Sequence, residues 1–175
     1  MKKLVSILLT AALLLSLTAC GNTPKKAGTT TIVDSGDAKI ETNVTTNDDG
    51  SISVEFLANS FDSMEGSIVG FQFTVAFENA TFDSCQTADF PEGWVSTLSD
   101  AQTANKNNEL TCAFYDDNLS KCFPNQSICT LTFKDISDKS DINVKDIKMT
   151  FFVNDDFSKS ENNRVFYQDD FTAYK

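Results

Sequence analysis

The chain has 175 residues, 25 of them acidic and 14 basic, for a net charge of −11. That excess of acid argues against nucleic acid and anionic lipid surfaces as partners, since both would repel it. Histidine is absent, which removes His-based catalytic triads, the commonest general base and the commonest zinc ligand.

Residues 1–19 read as an export signal. Lys2 and Lys3 open it, and the stretch Leu4 to Leu17 is apolar apart from Ser6, Thr10 and Ser16. Leu17-Thr18-Ala19-Cys20 closes it with small residues before a cysteine. A positive start, a short apolar run and a small-residue cleavage site make a signal peptide, and the run is shorter than the ~20 residues of a membrane span. L-T-A-C resembles the bacterial lipobox. The resemblance implies a diacylglyceryl group on the Cys20 thiol, cleavage before it, and a mature protein held by lipid at the outer face of the cell membrane. The mature chain then carries 12 basic and 25 acidic residues, a charge of −13. Residues 20–38, with Gly21, Asn22, Pro24, Lys25, Lys26, Gly28 and three successive threonines, hold too little apolar surface to offset their ordering entropy. They read as a flexible tether, in which Ile32 and Val33 either begin the first strand or only precede it. Residues 39–175 remain, enough for one domain with a core of its own.

Within that domain apolar residues alternate. Ile52, Val54 and Phe56 lead, followed by Phe71, Phe73, Val75 and Phe77, then Leu110, Cys112 and Phe114, then Cys129, Leu131 and Phe133. This period of two marks half-buried strands. A longer strand runs through Ile142, Val144, Ile147, Met149, Phe151 and Val153, with an irregularity near Asp146. Asn47-Asp48-Asp49-Gly50 reads as a hairpin turn, and residues 99–106 as a short turn of helix. Nine strands are expected, near 38–46, 51–59, 67–78, 80–86, 93–98, 109–116, 126–134, 141–153 and 164–174. Many short strands at this spacing predict an all-β sandwich of jelly-roll type.

Cys85, Cys112, Cys122 and Cys129 remain after Cys20. Export permits disulfides, and four cysteines allow three pairings. The alternative is free thiols, with Cys112 and Cys129 buried as small apolar residues on the core faces of strands. The paired acids Asp48-Asp49, Asp116-Asp117, Asp155-Asp156 and Asp169-Asp170 are weak candidates for calcium or hydrolysis, because neighbours in a strand point to opposite faces. No metal, cofactor or catalytic residue is expected.

Three segments together resemble cohesin domains: I-S-V-E-F-L-A-N-S-F-D-S-M-E-G-S-I-V-G-F-Q-F-T-V-A-F-E at 52–78, E-L-T-C-A-F-Y-D-D at 109–117 and S-I-C-T-L-T-F-K at 127–134. They follow the family's order and spacing. The resemblance implies a nine-stranded jelly-roll sandwich and a non-catalytic module that binds a dockerin-type protein partner in polysaccharide-degrading assemblies. It places the partner face on the strands near 67–78, 93–98, 109–116 and 141–153. Gly70, Gln72, Thr74 and Ala76 face outward there if the phenylalanines face in, with Tyr115 and Asp116 at the end of a neighbouring strand. Where the family often offers asparagine and aspartate outward, this chain has Gly70 and Gln72. The alternative is a carbohydrate-binding module on the same fold, with Trp94 stacking on a sugar ring. A lone tryptophan after Pro91-Glu92-Gly93 is also a natural core plug.

Overall fold

Alternation in the sequence becomes alternation in burial. In β3 (Ile52–Asn59) every second residue is buried, beginning with Ile52, and β7 (Glu109–Asp116) follows the same rule from Leu110 to Asp116. The structure is a computed structural model that describes residues 31–32, 37–63, 67–118, 121–152 and 163–175. The remaining strands are β1 (Thr31–Ile32), β2 (Lys39–Thr46), β4 (Ser67–Glu78), β5 (Thr81–Thr87), β6 (Trp94–Leu98), β8 (Ser127–Lys134), β9 (Asp141–Phe152), β10 (Asn163–Gln168) and β11 (Phe171–Tyr174). One helix, α1 (Ala101–Asn107), lies between β6 and β7.

The strands form two sheets. One has the order β1-β10-β9-β4-β7-β6, with β11 also paired to β9; the other has the order β2-β3-β8-β5. The all-β sandwich expected from the periodicity is present. Two details differ. The last strand is two, separated at Asp169 and Asp170, and Thr31–Ile32, inside the segment read as tether, pairs in parallel with Arg164 and Val165. The irregularity near Asp146 is a bulge: Gln72 pairs with Lys148 but Thr74 with Lys145, which leaves one extra residue on β9, and Asp146 there takes a left-handed φ of 53°.

Phenylalanine rings fill the space between the sheets. Phe73 of β4 stacks on Phe56 of β3, centroids 4.6 Å apart and planes 12° apart, and on Phe114 at 5.9 Å. At one end of the sandwich, loop residues complete the core: Phe61, Phe90 and Phe123 pack around Phe71, Trp94 and Phe114. Cys85, Cys112 and Cys129 carry thiols outside any disulfide. Cys112 and Cys129 are buried in the core. Burial raises the Cys112 thiol well above its ordinary pKa. A hydrogen bond to Cys85 does the same for Cys129, while lowering Cys85.

Amide side chains cap both edges of the four-stranded sheet. On β5, Asn105 of α1 accepts from the Phe82 amide at 2.7 Å and donates to its carbonyl at 2.8 Å. On β2, Gln168 does the same to Ile40, at 2.7 and 2.8 Å. Each amide imitates one residue of a neighbouring strand, which satisfies main-chain groups that an edge otherwise leaves open.

Candidate protein-binding face

The outer surface of the larger sheet is built by the same count of two that builds the core. With Phe71, Phe73, Val75 and Phe77 buried, Gly70, Gln72, Thr74 and Ala76 point away from it. Gly70, Gln72 and Ala76 are half-buried. Thr74 is only 7 % exposed. It is flanked by Thr111 of β7 and Lys145 of β9, and the Lys145 ammonium reaches Glu109 of β7 at 2.8 Å. The two partners sit on opposite sides of β4, so their ion pair crosses the strand and covers Thr74. The same contact raises the Lys145 pKa.

Tyr115 is half-buried and stands opposite Gly70 on one side and Val95 of β6 on the other. Ala113 lies beside Gln72 and Thr97. Val95 and, beyond β9, Tyr167 are among the few large apolar side chains exposed in the described residues, at 37 % and 58 %. Lys148, next to Gln72 and Tyr167, has its pKa lowered by burial, and no carboxylate among the described residues forms an ion pair with it. The face is a strip of small residues with an apolar side at Tyr115 and Val95 and a partly desolvated cation at Lys148. The alternation made Tyr115 legible; Val95, Ala113 and Lys148 needed the strand order before they could be placed beside it.

Two sequence candidates lie elsewhere. Asp116 does not join this face. It is 1 % exposed and accepts the Asn118 and Lys121 amides at 3.1 and 2.7 Å. It lies so close to Gly93 that a Cβ there would sit 2.8 Å from its Oδ1; Gly93 also has a φ of 95°. Asp116 ties the β6–β7 end together, a structural task. Trp94 is 6 % exposed, packs on Phe123 at 4.8 Å and donates its indole N–H to the Lys121 carbonyl at 3.2 Å. It presents no open ring face on which a sugar could stack. Asp49, of the acid pair weighed as a calcium ligand, accepts from the amide and hydroxyl of Ser51 at 3.0 and 2.6 Å, which closes the turn. Cys20 and the pair Asp155-Asp156 lie outside the described residues.

The strand order β9-β4-β7-β6 gathers the four strands expected to form the partner face into one sheet. The chain is similar in structure to the cohesin module of the family 33 glycoside hydrolase of Clostridium perfringens, with a TM-score of 0.52 and 4 % identity, over 78 % of this chain and 95 % of that one. The fold is cohesin-like. Other similar structures are the sixth cohesin of scaffoldin B from Acetivibrio cellulolyticus, solved in complex with a Cel5 dockerin (TM-score 0.47, 14 % identity, 76 % of this chain and 98 % of that one), and the seventh ScaB type I cohesin from Pseudobacteroides cellulosolvens (0.46, 9 %, 73 % and 90 %). At these identities the likeness is one of fold. No protein-family profile and no curated protein sequence matches the chain.

Proposed function

We propose that this cohesin-like domain is a non-catalytic binding module that holds a dockerin-type protein partner on the outer face of β9, β4, β7 and β6, and that a lipid on Cys20 anchors it to the outside of the cell membrane. The observation that carries the binding role is the strip Gly70, Gln72 and Ala76 bounded by Tyr115 and Val95. Small residues let a partner helix come close to the sheet, and a tyrosine beside them adds contact area at low entropy cost. Lys148, half-desolvated and without an ion-pair partner in the described residues, favours a partner that brings an acidic group to it. The sugar-binding alternative loses its stacking residue, because Trp94 is in the core.

The test uses the soluble domain and a panel of purified dockerin modules in calorimetric titrations. Ala113 is the position to change: it lies at the centre of the face, faces out, and its cross-strand neighbours Gln72 and Thr97 carry no charge. Ala113→Arg should weaken binding at least thirtyfold, the loss of one hot spot, about 2 kcal/mol, with an unchanged melting curve. Wild-type affinity in that variant would move the partner to another surface. For the anchor, Cys20→Ala in the full chain should shift the protein from the membrane fraction to the soluble fraction. A variant that stays with the membrane after detergent-free washing would remove the lipid assignment.

A further inference from the structure

Among the described residues, the main-chain groups that point outward from β2 are only partly paired. Ile40 gives its N–H and C=O to Gln168, so they point away from β3. Residues 42, 44 and 46 share that orientation, because successive residues of an antiparallel strand alternate between the two edges. The register agrees: Asn47 donates to Ser51 across the hairpin, which puts the β3-facing groups on odd-numbered residues. No hydrogen bond reaches the outward groups of Thr42, Val44 and Thr46 from any described residue, and residues 43–46 are exposed. Val44 pairs with Val54 on the inner side, yet it is 37 % exposed, and no described strand lies beyond it. Thr42–Thr46 reads Thr-Asn-Val-Thr-Thr. It has no proline, charge or bulge to blunt the edge, the devices that usually prevent pairing.

Next to this edge runs an open groove of about 1150 Å³, whose walls include Asp37, Glu41, Tyr167, Asp169, Asp170 and Phe171. Four of these are carboxylates. Among the described residues of its wall the one cation, Lys39, is held by Glu41 at 2.6 Å, so these residues carry a surplus of negative charge. Tyr167, 58 % exposed, offers a ring face to a cation.

We propose that β2 is a strand-addition site for an extended, lysine- or arginine-bearing segment of a partner protein. Its main chain pairs with Thr42, Val44 and Thr46, and its basic end enters the groove at Asp37, Tyr167 and Asp169. The Gln168 cap on Ile40 stops the added strand there, so about five residues pair. Main-chain bonds supply affinity and the flanking groove supplies selectivity, as in other strand-addition complexes. The pairing edge, β2, belongs to the four-stranded sheet, away from Ala113 and Tyr115 of β7, so variants on β2 and on β7 test the two interactions separately.

The probe is the synthetic peptide Lys-Thr-Val-Thr-Val-Thr-Lys, with its twin in which both lysines are glutamate. Amide NMR of the soluble domain should show shifts at Thr42, Val44 and Thr46 on titration with the basic peptide, slowed hydrogen exchange at the same three, and at least tenfold weaker binding of the acidic twin. Val44→Pro removes an outward N–H while sparing the bonds to β3, and should weaken binding at least tenfold. The double variant Asp37→Asn with Asp169→Asn leaves the strand untouched and should weaken the basic peptide at least threefold, with a shallower salt dependence. Unmoved β2 amides at millimolar peptide, or equal binding of the two peptides, would overturn the proposal. So would a concentration-dependent dimer in sedimentation equilibrium that Val44→Pro abolishes, since a second copy of the chain would then be the occupant.

Discussion

With alanine at position 73, the urea midpoint of the domain should fall by an amount worth about 3–5 kcal/mol, the usual cost of removing a buried phenylalanine ring. Phe73 is 1 % exposed and lies between Phe56 of the facing sheet and Phe114 of the next strand. Its loss therefore opens a cavity at the seam between the layers, where close-packed rings on both sides have little freedom to collapse inward. Gln72→Ala, one residue away on the opposite face, should cost under about 0.5 kcal/mol. An unchanged midpoint for Phe73→Ala, with a large drop for Gln72→Ala, would mean that β4 faces the other way.

Asp116→Ala should cost about 2–4 kcal/mol, because it leaves the Asn118 and Lys121 amides without their acceptor at a buried position. It should also disturb a residue it does not touch directly through a side-chain bond. Lys121 carries the carbonyl that accepts the Trp94 indole N–H, so release of the Lys121 amide should loosen the tryptophan and shift its emission to longer wavelength in the folded protein. Asp117→Ala, at an exposed neighbour, is the control and should change neither stability nor emission. Native emission from a stable Asp116→Ala protein would show that the loop is held by other contacts.

The difference between these two aspartates shows what the sequence could reveal. Strand positions follow from a period of two, and the same count that turns Tyr115 outward turns Asp116 inward, with Leu110, Cys112 and Phe114. Tyr115 and Asp116 therefore cannot share one face, although both stand at the strand end. Alternation continues to the last residue because Asp116 finds main-chain donors within the fold. Other features lay beyond a local count. Thr74 is covered only because Lys145 and Glu109 meet across β4, and that depends on a bulge in a strand some seventy residues away. Phe61, Phe90 and Phe123 join the core from turns and loops, where no periodicity marks them. Gln168 and Asn105 look like ordinary polar residues until the sheet edges they cap are in place. The break at Asp169-Asp170 shows in the sequence only as an acidic pair, with no glycine or proline to mark a turn.

The pairing at the middle of the larger sheet also governs when the domain can form. β4 lies between β7 and β9, and the partner of Phe77 across β9 is Ile142. While the chain is being made, Gly-Phe-Gln-Phe-Thr-Val-Ala-Phe of β4 exists long before β9 does. It is a strongly β-forming, uncharged segment of the kind that joins other strands when left unpaired. Nothing made earlier can close that edge, so folding waits for the last quarter of the chain, and contacts this distant in sequence form slowly. Until then a growing copy exposes β4 as an open strand, the kind of surface through which unfinished chains associate. The finished molecule exposes no such edge at β4, which has β7 on one side and β9 on the other.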